Sequence, residues 1–170
     1  MKKLLKRILV LTIAVATFVF AGCFGSPKTF SKEGMSIELT DQFVEKEYIS
    51  MTCYYESPEM IVTVLKEEFS LNPSVESWTL TKYAQTVVSV NGLTDVEISK
   101  SEQGYAFFEY SKTVSGKDYT YFATCHKSED AFWLIQFACF TKNYDSQKSN
   151  MEKYADSITF GTSSTSVDGL

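Results

Sequence analysis

The chain has 170 residues, 16 Lys and Arg against 21 Asp and Glu, and a single His. That length suits one domain with a proper core. The acidic balance, a net charge of −5, disfavours nucleic acid and anionic membrane surfaces as partners, because no basic footprint is on offer to phosphates. With one His and no Cys-x-x-Cys, a zinc site has no ligand set. No Gly-rich phosphate loop, His-Glu-x-x-His or Gly-x-Ser-x-Gly motif occurs, and no cofactor is called for.

Lys2, Lys3, Lys6 and Arg7 precede an uncharged apolar run, Ile8 to Ala21, which ends in small residues. This is the layout of an export signal. The ending Phe20-Ala21-Gly22-Cys23 resembles a bacterial lipobox, with Phe where Leu is usual. The resemblance implies a diacylglyceryl group on the Cys23 thiol, cleavage before it, and a lipid-anchored chain on the extracytoplasmic face of the cell membrane. Two other readings fit the same residues: cleavage after Ala21, or an uncleaved anchor over Ile8 to Phe24 at the short end of the spanning range. Residues 1–22 are therefore expected to be a lipoprotein signal peptide, 23–29 a tether, 30–160 the folded domain and 161–170 a flexible tail. Removing 1–22 takes four basic and no acidic residues, leaving 148 residues at −9, twelve bases against twenty-one acids.

Met35 to Leu39 reads as a strand. Glu47 to Glu56 and Met60 to Glu67 form a hairpin turning at Pro58-Glu59, with Cys53 opposite Val64. Leu80, Tyr83, Ala84 and Val87 recur at helical spacing, with Ser77 or Thr79 as cap and Asn91-Gly92 as stop. Three β-rich runs follow: Gly104 to Val114, Lys117 to His126 and Ala131 to Thr141. Their short links predict an antiparallel meander. It holds eleven of the twenty-five aromatic residues. The third run is apolar on both alternating faces, the pattern of a central strand covered on both sides. A second helix spans about Asp145 to Asp156, with Tyr144, the Lys148 stem, Met151 and Ala155 along its apolar stripe. Ser157 to Phe160 is a short extended piece.

The segments "EGMSIELTDQF", "LTKYAQTVV", the meander "GYAFFEYSKTVSGKDYTYFATCHKSEDAFWLIQFACF" and the closing "MEKYADSITF" together resemble the PsbP-like fold. That fold is shared by an extrinsic photosystem subunit, a Ran-binding protein and small bacterial lipoproteins. The resemblance implies an α+β domain in which an antiparallel β-sheet is sandwiched by helices in α/β/α layers. It implies no catalytic residues, and no partner-binding motif of its photosynthetic or Ran-binding members matches here.

Pairing Val114 with Lys117 and His126 with Ala131 lists the faces of the meander. One carries Ala106, Phe108, Tyr110, Tyr121, Ala123, Cys125, Phe132, Leu134, Gln136 and Ala138. Tyr110, Tyr121 and Gln136 lie side by side on it, polar tips in an apolar field, as a ligand pocket or a satisfied network would have them. The other face carries Phe107, Glu109, Phe122, Trp133, Ile135 and Phe137. In this register Cys125 opposes Phe132 and Cys139 opposes Asp118, too far apart to bridge, so Cys53, Cys125 and Cys139 are expected as free, buried thiols. His126, with Ser128, Glu129 and Asp130, reads as a solvated turn rather than a catalytic group. These features predict a non-enzymatic envelope lipoprotein that binds a protein partner, or alternatively a small-ligand carrier using Tyr110, Tyr121 and Gln136.

Overall fold

The computed structural model describes residues 25–161. Residues 1–24, with the expected signal peptide and Cys23, and residues 162–170, most of the expected tail, lie outside the described residues. Strands β1 (Pro27–Lys32) and β2 (Met35–Thr40) form a hairpin, turning at Glu33-Gly34. Pro27 to Thr29 are thus strand residues, which corrects their reading as tether. Strand β3 (Val44–Lys46) then pairs with β4 (Cys53–Glu56), and β4 with β5 (Ile61–Glu68), Cys53 opposite Val64 as expected. The predicted strand from Glu47 to Glu56 is shorter than expected, because Glu47 to Thr52 leave the sheet as a loop with Tyr48 and Ile49 exposed.

Helix α1 (Leu80–Val90) starts where Thr79 accepts a hydrogen bond from the Lys82 amide. It stops at Asn91-Gly92, Gly92 taking φ +63°. Strand β6 (Ser99–Lys100) pairs with β7 (Ala106–Val114). β7 turns through Ser115-Gly116, both at positive φ as a two-residue hairpin demands, into β8 (Lys117–Lys127). β9 (Ala131–Phe140), α2 (Tyr144–Asp156) and β10 (Thr159–Phe160) complete the chain.

The strands form a seven-stranded antiparallel sheet in the order β3-β4-β5-β9-β8-β7-β6 and a three-stranded one, β1-β2-β10. The mixed α+β class is as expected. On one face of the large sheet, Tyr55, Val62, Phe122, Trp133, Ile135 and Phe137 pack beneath α2 and the small sheet. On the other, Phe108, Ala123, Cys125, Phe132 and Leu134 pack with Tyr83 and Ala84 of α1. Helix α2 and the β1–β2 hairpin thus share one face.

The β8–β9 register differs from the expected one by two residues. Lys127 opposes Phe132, Cys125 opposes Leu134 and Cys139 opposes Thr120. The cause is Ser128, whose amide donates to the Ala131 carbonyl at 2.9 Å while its hydroxyl accepts from the Ala131 amide at 3.2 Å. Only Glu129-Asp130 remain as the loop. A shift by an even number leaves every side chain on its assigned face.

Cys53, Cys125 and Cys139 are buried and free, with Cys139 in the core beneath α2 and Cys125 in the core beneath α1. Burial raises the Cys125 thiol to about 12 and that of Cys139 to about 11, so neither supplies thiolate to an oxidant at neutral pH. Thiol titration of the folded protein without reductant should therefore find none of the three, and denaturation should expose all three. A linkage between Cys125 and Cys139 would contradict the sheet.

Candidate functional site

Tyr110, Tyr121 and Gln136 are brought together on the face that α1 covers. Tyr110 and Tyr121 are cross-strand partners, their rings parallel within 3° and 4.6 Å apart. The Gln136 amide donates to the Tyr110 hydroxyl at 2.8 Å and its carbonyl accepts from Thr63 at 3.4 Å. Burial, then the neighbouring Tyr121, pushes the Tyr110 hydroxyl up to about 12. These polar groups largely satisfy one another.

The trio belongs to a larger surface that sequence reasoning missed. Helix α1 covers Ala123, Cys125, Phe132 and Leu134. Towards the opposite end of the same face, Tyr54, Tyr110, Tyr119, Tyr121 and Phe140 each stay half-exposed. Tyr119 lies 4.9 Å from Phe140. Tyr48, 60% exposed, stacks on Tyr54 at 5.1 Å. Burial and, after it, the proximity of Tyr119 raise the Tyr121 hydroxyl. The signal for this surface was the alternation Tyr119, Tyr121 against Tyr110. Tyr54 joins it only because β5 and β9 pair, which the sequence does not announce.

Glu109 sits opposite Phe122 as expected, on the other face. Burial alone would raise its carboxyl, but the Lys148 ammonium of α2, 2.7 Å away, outweighs this and holds it below its ordinary value. The pair closes the edge of the α2 interface and explains the acid in an apolar row.

His126 is not a solvated turn residue, and that expectation is corrected. It lies on β8, 8% exposed, between Tyr105 at 4.9 Å and Phe160 at 5.6 Å, its Nε2 3.0 Å from the Thr124 hydroxyl. The two-residue register shift draws it inside the sheet. Ser128, meanwhile, donates to Asp130 and accepts from the Trp133 indole, and Asp130 pairs with Lys66 at 2.9 Å. The three residues after His126 therefore build the turn and do not converge on the imidazole. Among the described residues no group of His, Cys, Asp and Glu is arranged to hold a metal ion.

Burial lowers the His126 pKa from 6.5 to about 4. The unfolded chain then binds a proton more readily than the folded one, so stability is full above about pH 6.5 and falls as pH drops towards 4. The loss should reach roughly 3 kcal/mol at ~1.4 kcal/mol per unit. Denaturant melts of the wild type and His126→Gln between these limits check it: the variant should be less stable at neutral pH and lack this part of the slope. Equal slopes would place the imidazole in solvent.

No protein-family model matches the chain, and no curated protein matches it in sequence. Solved structures do match in fold. The cyanobacterial PsbP of Synechocystis sp. PCC 6803 superposes with a TM-score of 0.55 at 12% identity, over 86% of this chain and 98% of that one. The Saccharomyces cerevisiae Ran-binding protein Mog1p gives 0.50 at 12% identity, over 79% and 95%. A Bacteroides thetaiotaomicron protein gives 0.54 at 12% identity, over 80% of this chain and 49% of that one. With its antiparallel sheets, its two helices and these neighbours, the described domain has a PsbP-like fold.

Proposed function

We propose that the chain is a lipoprotein anchored through Cys23 to the extracytoplasmic face of the cell membrane, and that its domain is a non-enzymatic accessory module of the envelope which docks a protein partner. The observation that carries the reading is the half-open tyrosine surface formed by Tyr48, Tyr54, Tyr110, Tyr119 and Tyr121. Tyr offers a large amphipathic contact with few rotatable bonds, which is why it is enriched in binding surfaces. Stacking of Tyr110 on Tyr121 and of Tyr48 on Tyr54 holds the rings before any partner arrives, so little side-chain entropy is lost on docking. A Ran-binding protein among the structural neighbours is compatible with partner binding on this scaffold, as fold-level analogy only. The mutual satisfaction of Tyr110 and Gln136 favours a docking surface over a carrier built on this trio.

Anchoring is supported by the residues Lys2 to Cys23 alone, since no helix among the described residues is long and apolar enough to cross a membrane. Two or three acyl chains hold stably where one does not. Cys23→Ala should abolish incorporation of a fatty-acid analogue, and persistent labelling would refute the anchor.

Docking is tested in cells with a photocrosslinking residue at Tyr121 and, as control, at Glu152 on α2. An adduct of one defined mass from position 121, absent from 152, is expected. The triple change of Tyr110, Tyr119 and Tyr121 to Ser, with crosslinker moved to Tyr54, should remove that adduct, while α1 stays folded by circular dichroism. Equal adducts from both positions would sink the proposal.

A further inference from the structure

The tyrosine surface carries a charge pattern of its own. Residues paired across the sheet lie on one face, so the register fixes which side chains share it. One cross-strand row runs Val44, Glu56, Ile61, Ala138, Tyr121 and Tyr110. The next row towards the β7–β8 turn is Phe140, Tyr119 and Lys112, and Val114 with Lys117 closes the face. Lys112 therefore stands directly across from Tyr119, and the Lys117 ammonium lies 5.8 Å from the centre of the Phe140 ring. Both lysines are exposed, and neither enters an ion pair among the described residues. Lys142, in the link between β9 and α2, borders the same shallow depression as Lys117 and Phe140.

Few acids oppose these cations. Glu56 is the one acid in the rows, and Lys46 neutralises it. Asp118 belongs to the opposite face, where it accepts from the Thr113 hydroxyl at 2.6 Å. From residue 23 onward the chain carries twelve basic residues against twenty-one acidic ones. On so acidic a chain, an anionic partner is repelled from most of the molecule and drawn to this corner. The charge is also graded along the surface. It is positive at the β7–β8 corner and neutral at the β3–β4 corner, where Val44 is exposed. A segment acidic at one end and apolar at the other matches this gradient, whereas a uniformly anionic bilayer does not. Five strand spacings of ~4.8 Å separate Val44 from Tyr110, the reach of about seven extended residues.

We infer that the docked partner presents an acidic protein segment, with its carboxylates on Lys112 and Lys117 and its apolar side chains on the tyrosines towards Val44. This rests on docking at the tyrosine surface and adds the chemistry of the partner.

The test keeps the photocrosslinking residue at Tyr121 in the full chain, in cells, and changes the charges. Lys112→Glu with Lys117→Glu should lower the yield of adduct about fivefold or more, since each attraction becomes a repulsion. Lys112→Gln with Lys117→Gln, which adds no acid to the hairpin, should lower it about twofold or more. Lys100→Glu with Lys153→Glu makes the same change in net charge away from the surface and should leave the yield unchanged. Circular dichroism should be the same for all, because the four lysines are exposed. Mass spectrometry of the wild-type adduct should find Asp or Glu next to the crosslinked position on the partner. No wild-type adduct at all would sink docking itself. With that adduct present, an undiminished yield from both the Glu and the Gln pair would overturn the acidic partner and leave docking standing. An equal loss in the Lys100 and Lys153 control, or a basic crosslinked stretch, would do the same. A phospholipid in place of a protein in the adduct would make the surface a membrane contact and overturn both.

Discussion

Strand β9 hydrogen-bonds to β5 along one edge and to β8 along the other, and its side chains fill cores on both faces. Trp133, Ile135 and Phe137 point to α2 and the small sheet; Phe132 and Leu134 point to α1. Burying each such side chain is worth roughly 1.5–3 kcal/mol, so this strand contributes heavily to both halves of the core. Everything else is arranged around satisfying it. The backbone of β9 needs a partner on each side, and the second partner comes from far back in the chain. β5 supplies it, with Val62 and Val64 feeding one core and Leu65 the other.

The two faces are covered unequally, and the candidate sites follow from that inequality. One face receives α2 and the three-stranded sheet together, and there even the out-of-place Glu109 finds Lys148. The other face receives α1 and the connections on either side of it. A single helix of eleven residues does not span a seven-stranded sheet. Beyond it the tyrosines of β4, β7 and β8 remain half-open, and alongside it an apolar groove runs past Val75, Trp78 and Val87. An incompletely covered sheet face is a stability cost unless something else covers it, which is the physical link between this architecture and a binding role.

His126 shows how local chemistry and tertiary placement part company. In sequence it stands beside Ser128, Glu129 and Asp130, a polar cluster that belongs in a turn. In the structure a two-residue difference in where the turn closes carries it under Phe160, where burial keeps it neutral. The turn is closed by the Ser128 hydroxyl, a hydrogen bond that no periodicity reports. The faces survived this error because the displacement was even, and with them the grouping of Tyr110, Tyr121 and Gln136.

What the sequence determined by itself was whatever depends on near neighbours. The meander, the Thr79 cap, the Asn91-Gly92 stop, the Cys53–Val64 register and the sidedness of each strand are set by spacings of a few residues, where steric and hydrogen-bonding rules act directly. What only the tertiary structure decided was everything that joins distant segments. The pairing of β5 with β9, the entry of Pro27 to Thr29 into a strand, the fall of Glu47 to Thr52 out of one, and the placing of Tyr54 on one sheet face with the tyrosines of β8 belong here. So does the stacking of Tyr83 on Phe132, since a helix pattern marks the residue as buried but cannot say which ring it will meet. Such contacts depend on how whole elements share one core, and no single stretch of chain carries that information.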